Sequence, residues 1–276
     1  MTKLDDSRLT VRDLRIFTAL VLLLGWVGRL VDSLLGVPPG QGLGMLIWLL
    51  APPLVSFLLR ALAGDGWKDL GIRLNLRGNL KWYTVSLLVY PVVTFVILGA
   101  ALALGGASMP SFDGGLFAQA LVVGILPGIL TSVEEFGWRG YFAPKLYTLG
   151  LNSFLAHALV GLVWGAWHLP YLSVFWGHAM DNLALFLPLF FLGAIAASIV
   201  YGEIRILTNS VWPAVLMHSV GNILLNTLIG EGFVQLASGK EMIFSPGVES
   251  VLSIALMACI GVGIYLVRRR SGAISA

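Results

Sequence analysis

Apolar residues in this chain fall into eight runs of about 20, separated by short stretches rich in Gly, Pro, Asn and basic residues. A run of that length crosses roughly 30 Å of hydrocarbon as a helix. The runs are continuously apolar rather than alternating, which excludes a transmembrane barrel and leaves helices as the spanning element. The pattern predicts helices over about Ile16–Leu35, Leu43–Leu62 (bent at Pro52-Pro53), Trp82–Leu104 and Leu116–Leu146. Four more follow at Ser153–Leu169 (stopped by Pro170), Leu183–Tyr201, Val211–Ile229 and Val248–Val267. The first run is too long for a cleaved leader and carries Arg29 and Asp32, whose i,i+3 spacing predicts a pair within one helix. The expected fold is therefore an all-α polytopic membrane domain covering residues 1–276, with no separate soluble domain.

Composition agrees. The chain is 58% hydrophobic and 11% charged, against about 25% charged for a soluble globular domain. Eight spans put both termini on one side. With the termini in the cytoplasm, all of the 17 Lys and Arg except Arg29 and Lys240 fall on cytoplasmic tails, loops and helix ends. This bias fixes the orientation. It also accounts for the net charge of +3 without a nucleic-acid partner; the partner implied is the lipid bilayer. Compact loops and short basic tails suggest the plasma membrane of a bacterium. Cys259 is the only cysteine, which excludes an internal disulfide and a thiolate metal cluster.

Against this background a few polar residues stand out. The run Leu116–Val133 carries no charge and ends in Glu134-Glu135, although a carboxylate at bilayer depth costs roughly 2.5–3.5 kcal/mol. Glu135 and Arg139 are four apart and share a helix face, acid before base, the favoured order. Glu134 points about 100° away and has no such partner in its own helix. His168 follows Trp164 by four, and His218 precedes Asn222 by four, so each pair shares a face. Depths counted from the cytoplasmic helix ends are about 16, 24 and 12 Å for Glu134, His168 and His218 at 1.5 Å per residue, which allows one shared site. Ionisable groups within spans usually face the bundle interior or a water-filled cavity. His178 reads as an ordinary outer-loop residue and His157 as an interfacial one. A carboxylate in an apolar pocket is suited to accept a proton from water near neutral pH. Glu134 with His168 could thus hold and deprotonate a water, and His218 with Asn222 could donate to a developing oxyanion. These are the parts of a peptide-bond hydrolase.

The same residues resemble the three motifs of the CAAX protease and bacteriocin-processing (Abi) family of intramembrane endopeptidases. Glu134, Glu135 and Arg139 match Glu-Glu-x-x-x-Arg. Trp164 and His168 match an aromatic, usually Phe, three residues clear of a His. His218 and Asn222 match His-x-x-x-Asn/Asp, preceded by Thr208-x-Ser210-Val-Trp-Pro. Order and spacing agree over about residues 116–228, and Trp164 in place of Phe is the one departure. The resemblance implies eight helices around a catalytic cavity reachable from the cytoplasmic side or the lipid. It also implies cleavage of a membrane-associated peptide, with prenylated C-terminal tails cut by some members. The implied roles are Glu134 and His168 on the water, His218 and Asn222 as oxyanion donors, and Glu135, Arg139 and Trp164 in support.

Three other readings compete. Zinc bound by Glu134, His168 and His218 would form a two-His, one-Glu catalytic site and activate the water itself. The metal-free reading is preferred, because zinc would consume Glu134 and leave only the Arg-paired Glu135 as base. A proton-coupled transporter would use buried Glu and His as a relay, but such folds often carry an internal repeat, and none is visible between the halves. A non-catalytic bacteriocin-immunity or scaffold protein is the third, opposed by the intact set of motif residues.

Overall fold

Low-propensity residues punctuate the chain where the elements stop. A computed structural model describes residues 3–64 and 66–271. The eight expected spans are present. They are built from α1 (Lys3–Leu34), α2 (Leu43–Leu62), α3 (Leu80–Ala103), α4 (Gly114–Thr131), α5 (Ala143–Thr148), α6 (Ser153–His168), α7 (Leu183–Thr208), α8 (Trp212–Leu225) and α9 (Val251–Arg270). Outer loops contribute a two-stranded antiparallel sheet, β1 (Ala107–Ser108) on β2 (Gln235–Leu236). Side-chain caps start four helices. Asp113 accepts from the Gly115 and Leu116 amides, Asn152 from Leu155, Asn182 from Leu185 and Ser250 from Ser253.

Three boundaries differ from expectation for physical reasons. α1 begins about four turns early, because no Gly or Pro interrupts residues 3–24. α7 runs past Tyr201 to Thr208, because Glu203 and Arg205 are buried and bonded rather than solvated, and Asn209 ends the helix at φ 47°. The long fourth span is not one α-helix. After α4 the chain takes a 3₁₀ turn (Ser132–Glu134), one α turn (Glu135–Gly137) and a π turn (Trp138–Phe142) before α5. Such irregular turns are frequent at functional sites.

The expected Arg29–Asp32 pair is not among the ion pairs of the described residues. Asp32 instead accepts from the Gly44 amide at 2.9 Å and the Tyr171 hydroxyl at 2.9 Å, which ties α1 to α2 and to the turn after α6. A β-carbon on Gly28 or Gly44 would strike the other glycine's carbonyl oxygen, so α1 and α2 cross at backbone contact. Gly44→Ala is therefore expected to lower the stability of detergent-solubilised protein by about 1–3 kcal/mol, read as an earlier thermal transition; an unchanged transition would refute the close crossing.

Two apolar cores flank the centre. Phe17, Trp48, Trp138, Tyr141 and Trp167 fill the one made by α1, α2, α6 and the motif-bearing turns. Tyr90, Val200, Tyr201, Met217 and Met257 fill the other, between α3, α7, α8 and α9. Leu and Val side chains such as Leu62 (81% exposed) and Val122 (68%) cover the outside, as a lipid-facing surface requires.

The face that carries both chain ends is closed by buried cations. Arg60 donates to Asp69 and to the Gly140 carbonyl; Arg205 donates to the Arg139 and Asp69 carbonyls. Arg268 pairs with Glu203, which His157 also meets at 3.1 Å. His157, near the start of its span, is thus buried in this network. Asn75 and Trp212 clamp the segment after Gly71 against the ends of α7 and α8. Positive residues gather on this face, and several seal it.

Candidate active site

The 3₁₀ and π turns rotate the two acids into the space between the cores. Glu134 is 2% exposed and Glu135 0%. Arg139 donates to Glu135 Oε1 at 3.1 Å and to Ser198 Oγ at 3.0 Å, and its guanidinium lies 4.5 Å over the Tyr201 ring. Tyr201 donates to Tyr90. The brace expected from the i,i+4 spacing is present, and it reaches two residues, Ser198 and Tyr201, that no motif singled out.

His218 comes down from α8 onto both acids. Its Nδ1 lies 2.9 Å from Glu135 Oε1 and 3.5 Å from Glu134 Oε1. Glu135 is therefore more than a partner for Arg139; it is also the nearer carboxylate to His218. Because a carboxylate only accepts, Nδ1 carries a proton here, so Nε2 donates in the imidazolium and accepts in the neutral ring.

Glu134 has a second neighbour that spacing could not show. The Trp164 indole Nε1 donates to Glu134 Oε1 at 2.8 Å. The replacement of Phe by Trp therefore supplies a donor. A hydrogen bond to a charged group contributes about 1.5–3 kcal/mol. If Glu134 is the base that the motif resemblance implies, Trp164→Phe should lower kcat by about tenfold or more, with a normal thermal transition. Unchanged kcat would show that the bond does not orient the acid.

His168 sits in a box of aromatic rings, with Trp164, Trp167, Trp48 and Trp176 centred 4.2, 4.7, 5.5 and 5.6 Å away. Its Nδ1 lies 2.9 Å from the Trp164 carbonyl. A carbonyl only accepts, so Nδ1 is the donor, and in the neutral ring Nε2 keeps a lone pair. Asn222 Nδ2 donates to Thr131 Oγ1 at 2.8 Å, and the Thr131 hydroxyl bonds back to the carbonyls of Pro127 and Gly128. Thr131 fixes the amide's orientation and leaves its second N–H for another acceptor. Nothing in the sequence pattern marked Thr131; its position one turn before Glu134 is a signal only after the fold is known.

Glu134, Glu135, His168, His218, Asn222, Arg139 and Trp164 all line one cavity of about 400 Å³. His178, expected as a surface residue, lines it too, 3.9 Å from the buried Glu249. The residues whose ligand atoms converge within 4.8 Å are Glu134, Glu135 and His218. His168, part of the candidate zinc set, is not in that group. In it, one oxygen of Glu135 and Nδ1 of His218 already bond each other, and that oxygen also accepts from Arg139.

Fold and site together define an integral membrane protein whose interior holds carboxylates, imidazoles and an amide around one cavity. Residues 113–224 match the family described as type II CAAX prenyl endopeptidase Rce1-like. CAAX prenyl protease 2 of Methanococcus maripaludis is 34% identical over 137 residues, 47% of this chain and 50% of that protein. The chain thus spans about half the length of the curated relative it matches. Over its motif-bearing core the chain is similar to that family and to that relative, and the matched residues are the ones that carry the motifs of the CAAX protease and bacteriocin-processing family.

Proposed function

We propose that the protein is an intramembrane endopeptidase that hydrolyses peptide bonds of membrane-associated substrates with a water activated by Glu134 and His168. Glu134 takes a proton from the water, and His168 Nε2 accepts a hydrogen bond that holds the oxygen in line. The hydroxide adds to the scissile carbonyl. His218, as imidazolium, and the free N–H of Asn222 donate to the resulting oxyanion. Glu134 then returns its proton to the leaving amine, the C–N bond breaks, and the products are an amine and a carboxylic acid that loses its proton to solvent. Glu135 anchors His218 and Arg139, and Trp164 and Thr131 orient Glu134 and Asn222.

The observation that carries this reading is the different company of the two adjacent acids. Glu135 is committed to Arg139 and His218, whereas Glu134 accepts from Trp164 and faces the cavity that His168 and Asn222 also line. No metal is part of the proposal, since a zinc ion on Glu134 would remove the base. The name of the curated relative makes prenylated C-terminal tails one substrate class to offer. The plasma membrane of a bacterium is the proposed location. The test uses purified protein in proteoliposomes with a farnesylated C-terminal peptide and with unmodified membrane-spanning peptides, alongside metal analysis. Cleavage by zinc-free protein supports the proposal; stoichiometric zinc whose removal abolishes cleavage would overturn the metal-free chemistry.

A further inference from the structure

α3 carries none of the motif residues, yet its middle contributes a polar group to the cavity. Tyr90 lines the wall together with Tyr201, His218, Gly221 and Asn222, and it is buried. Two contacts fix where its hydroxyl stands. The ring lies against Gly221, where a β-carbon would come within 3.0 Å of three ring atoms, so a side chain there would displace it. At its other end the Tyr90 oxygen accepts from Tyr201 at 3.2 Å. Gly221 follows His218 by three residues and precedes Asn222 by one, so the Tyr90 ring rests on the helix face that holds both. The Tyr201 ring in turn stands 5.9 Å from the His218 ring. The Tyr90 hydroxyl is thereby placed on the flank of His218 and Asn222.

A phenol both accepts and donates. Tyr201 is the donor in this pair, held by the Arg139 guanidinium 4.5 Å over its ring, so the proton of Tyr90 points elsewhere. Among the described residues nothing accepts it. A buried O–H without an acceptor costs free energy. On a cavity wall that donor is left for whatever fills the cavity.

We propose that the Tyr90 hydroxyl is a further donor to the oxyanion, which makes Tyr90 a catalytic residue supplied by α3, outside the matched residues 113–224. The inference rests on the proteolytic reading. An alkoxide oxygen on a tetrahedral carbon can accept from three donors, and His218 and the free N–H of Asn222 supply two. A hydroxyl already oriented by Tyr201 stabilises the charge as it develops, with no reorganisation at that moment. The phenol keeps its proton throughout, so the fate of the water's protons is unchanged.

Tyr90→Phe keeps the ring on Gly221 and removes only the hydroxyl. Wild type and variant are compared in proteoliposomes on the farnesylated or membrane-spanning peptide that the wild type cuts, and on the same peptide with a thioamide at the scissile bond. Sulfur accepts hydrogen bonds weakly, so the ratio of the oxygen to the sulfur rate reports donation to that atom. The expected result is a kcat lower by about 10²-fold at unchanged KM, in a protein that keeps a cooperative thermal transition. The oxygen-to-sulfur ratio should shrink by about fivefold or more. An unchanged kcat, or a lower kcat with an unchanged ratio, would overturn the role while leaving the proteolytic reading in place. Wild-type protein that cuts neither peptide would count against the proteolytic reading itself, and the assignment falls with it.

Discussion

Glu134→Gln is expected to lower kcat by about 10²–10⁴-fold, the usual contribution of a positioned general base, in a protein that still folds. The substitution keeps shape, and its amide oxygen still accepts from the Trp164 indole as Glu134 Oε1 does at 2.8 Å. What disappears is the ionisable carboxyl that the proposed mechanism uses to take a proton from water and return it to the leaving amine. Arg139 keeps Glu135, Ser198 and the Tyr201 ring, and His218 keeps Glu135 at 2.9 Å, so only the longer 3.5 Å pairing of His218 with Glu134 is lost. Purified wild-type and variant protein would be compared by single-turnover cleavage and by thermal unfolding in the same detergent. Similar cleavage rates in two equally stable proteins would remove Glu134 from the chemistry.

Its neighbour should behave in the opposite way. Glu135 Oε1 lies 3.1 Å from Arg139 Nη1 and 2.9 Å from His218 Nδ1, and Glu135, Arg139 and Ser198 are all buried. Glu135→Gln leaves the Arg139 guanidinium in a low-dielectric interior with only neutral partners close by. Removing one member of a buried pair costs about 3–5 kcal/mol, so the variant should unfold early and lose activity with its alignment. A second substitution separates this from a role in proton transfer. Arg139→Met on top of Glu135→Gln removes the stranded charge, and the double variant should be more stable than Glu135→Gln alone, a coupling that a thermodynamic cycle measures. A Glu135→Gln protein as stable as the wild type would show that the pair braces nothing.

The contrast between the two acids shows what was legible in the chain and what was not. Eight spans could be read because hydrocarbon thickness imposes one length on every apolar run. The Glu135–Arg139 pair could be read because a helix brings i and i+4 together, and it persists although the local backbone leaves α-helical geometry. Contacts between helices could not be read that way. His218 meeting Glu135, Trp164 meeting Glu134 and Thr131 meeting Asn222 depend on how spans 30 to 91 residues apart cross. The same limit explains Arg29 and Asp32, where correct spacing gave no pair because the crossing of α1 with α2 and the turn after α6 sets the Gly44 amide and the Tyr171 hydroxyl against Asp32. It explains Glu203 and Arg205 as well. They lie beyond Tyr201, where the predicted span stops, and Arg268, from a helix 65 residues further on, pairs with the buried Glu203. Motif resemblance bridged part of this gap by grouping the residues, but it assigned Trp164 no polar role and left Thr131 unmarked.

The central claim is that this cavity cuts peptide bonds in the membrane. The most direct test compares the peptide termini in membranes of cells producing the wild-type protein with those of cells producing Glu134→Gln at equal level. At least one membrane protein or peptide is expected to be cut in the first and to accumulate uncut in the second. Identical termini in both, with both proteins folded and present, would contradict it.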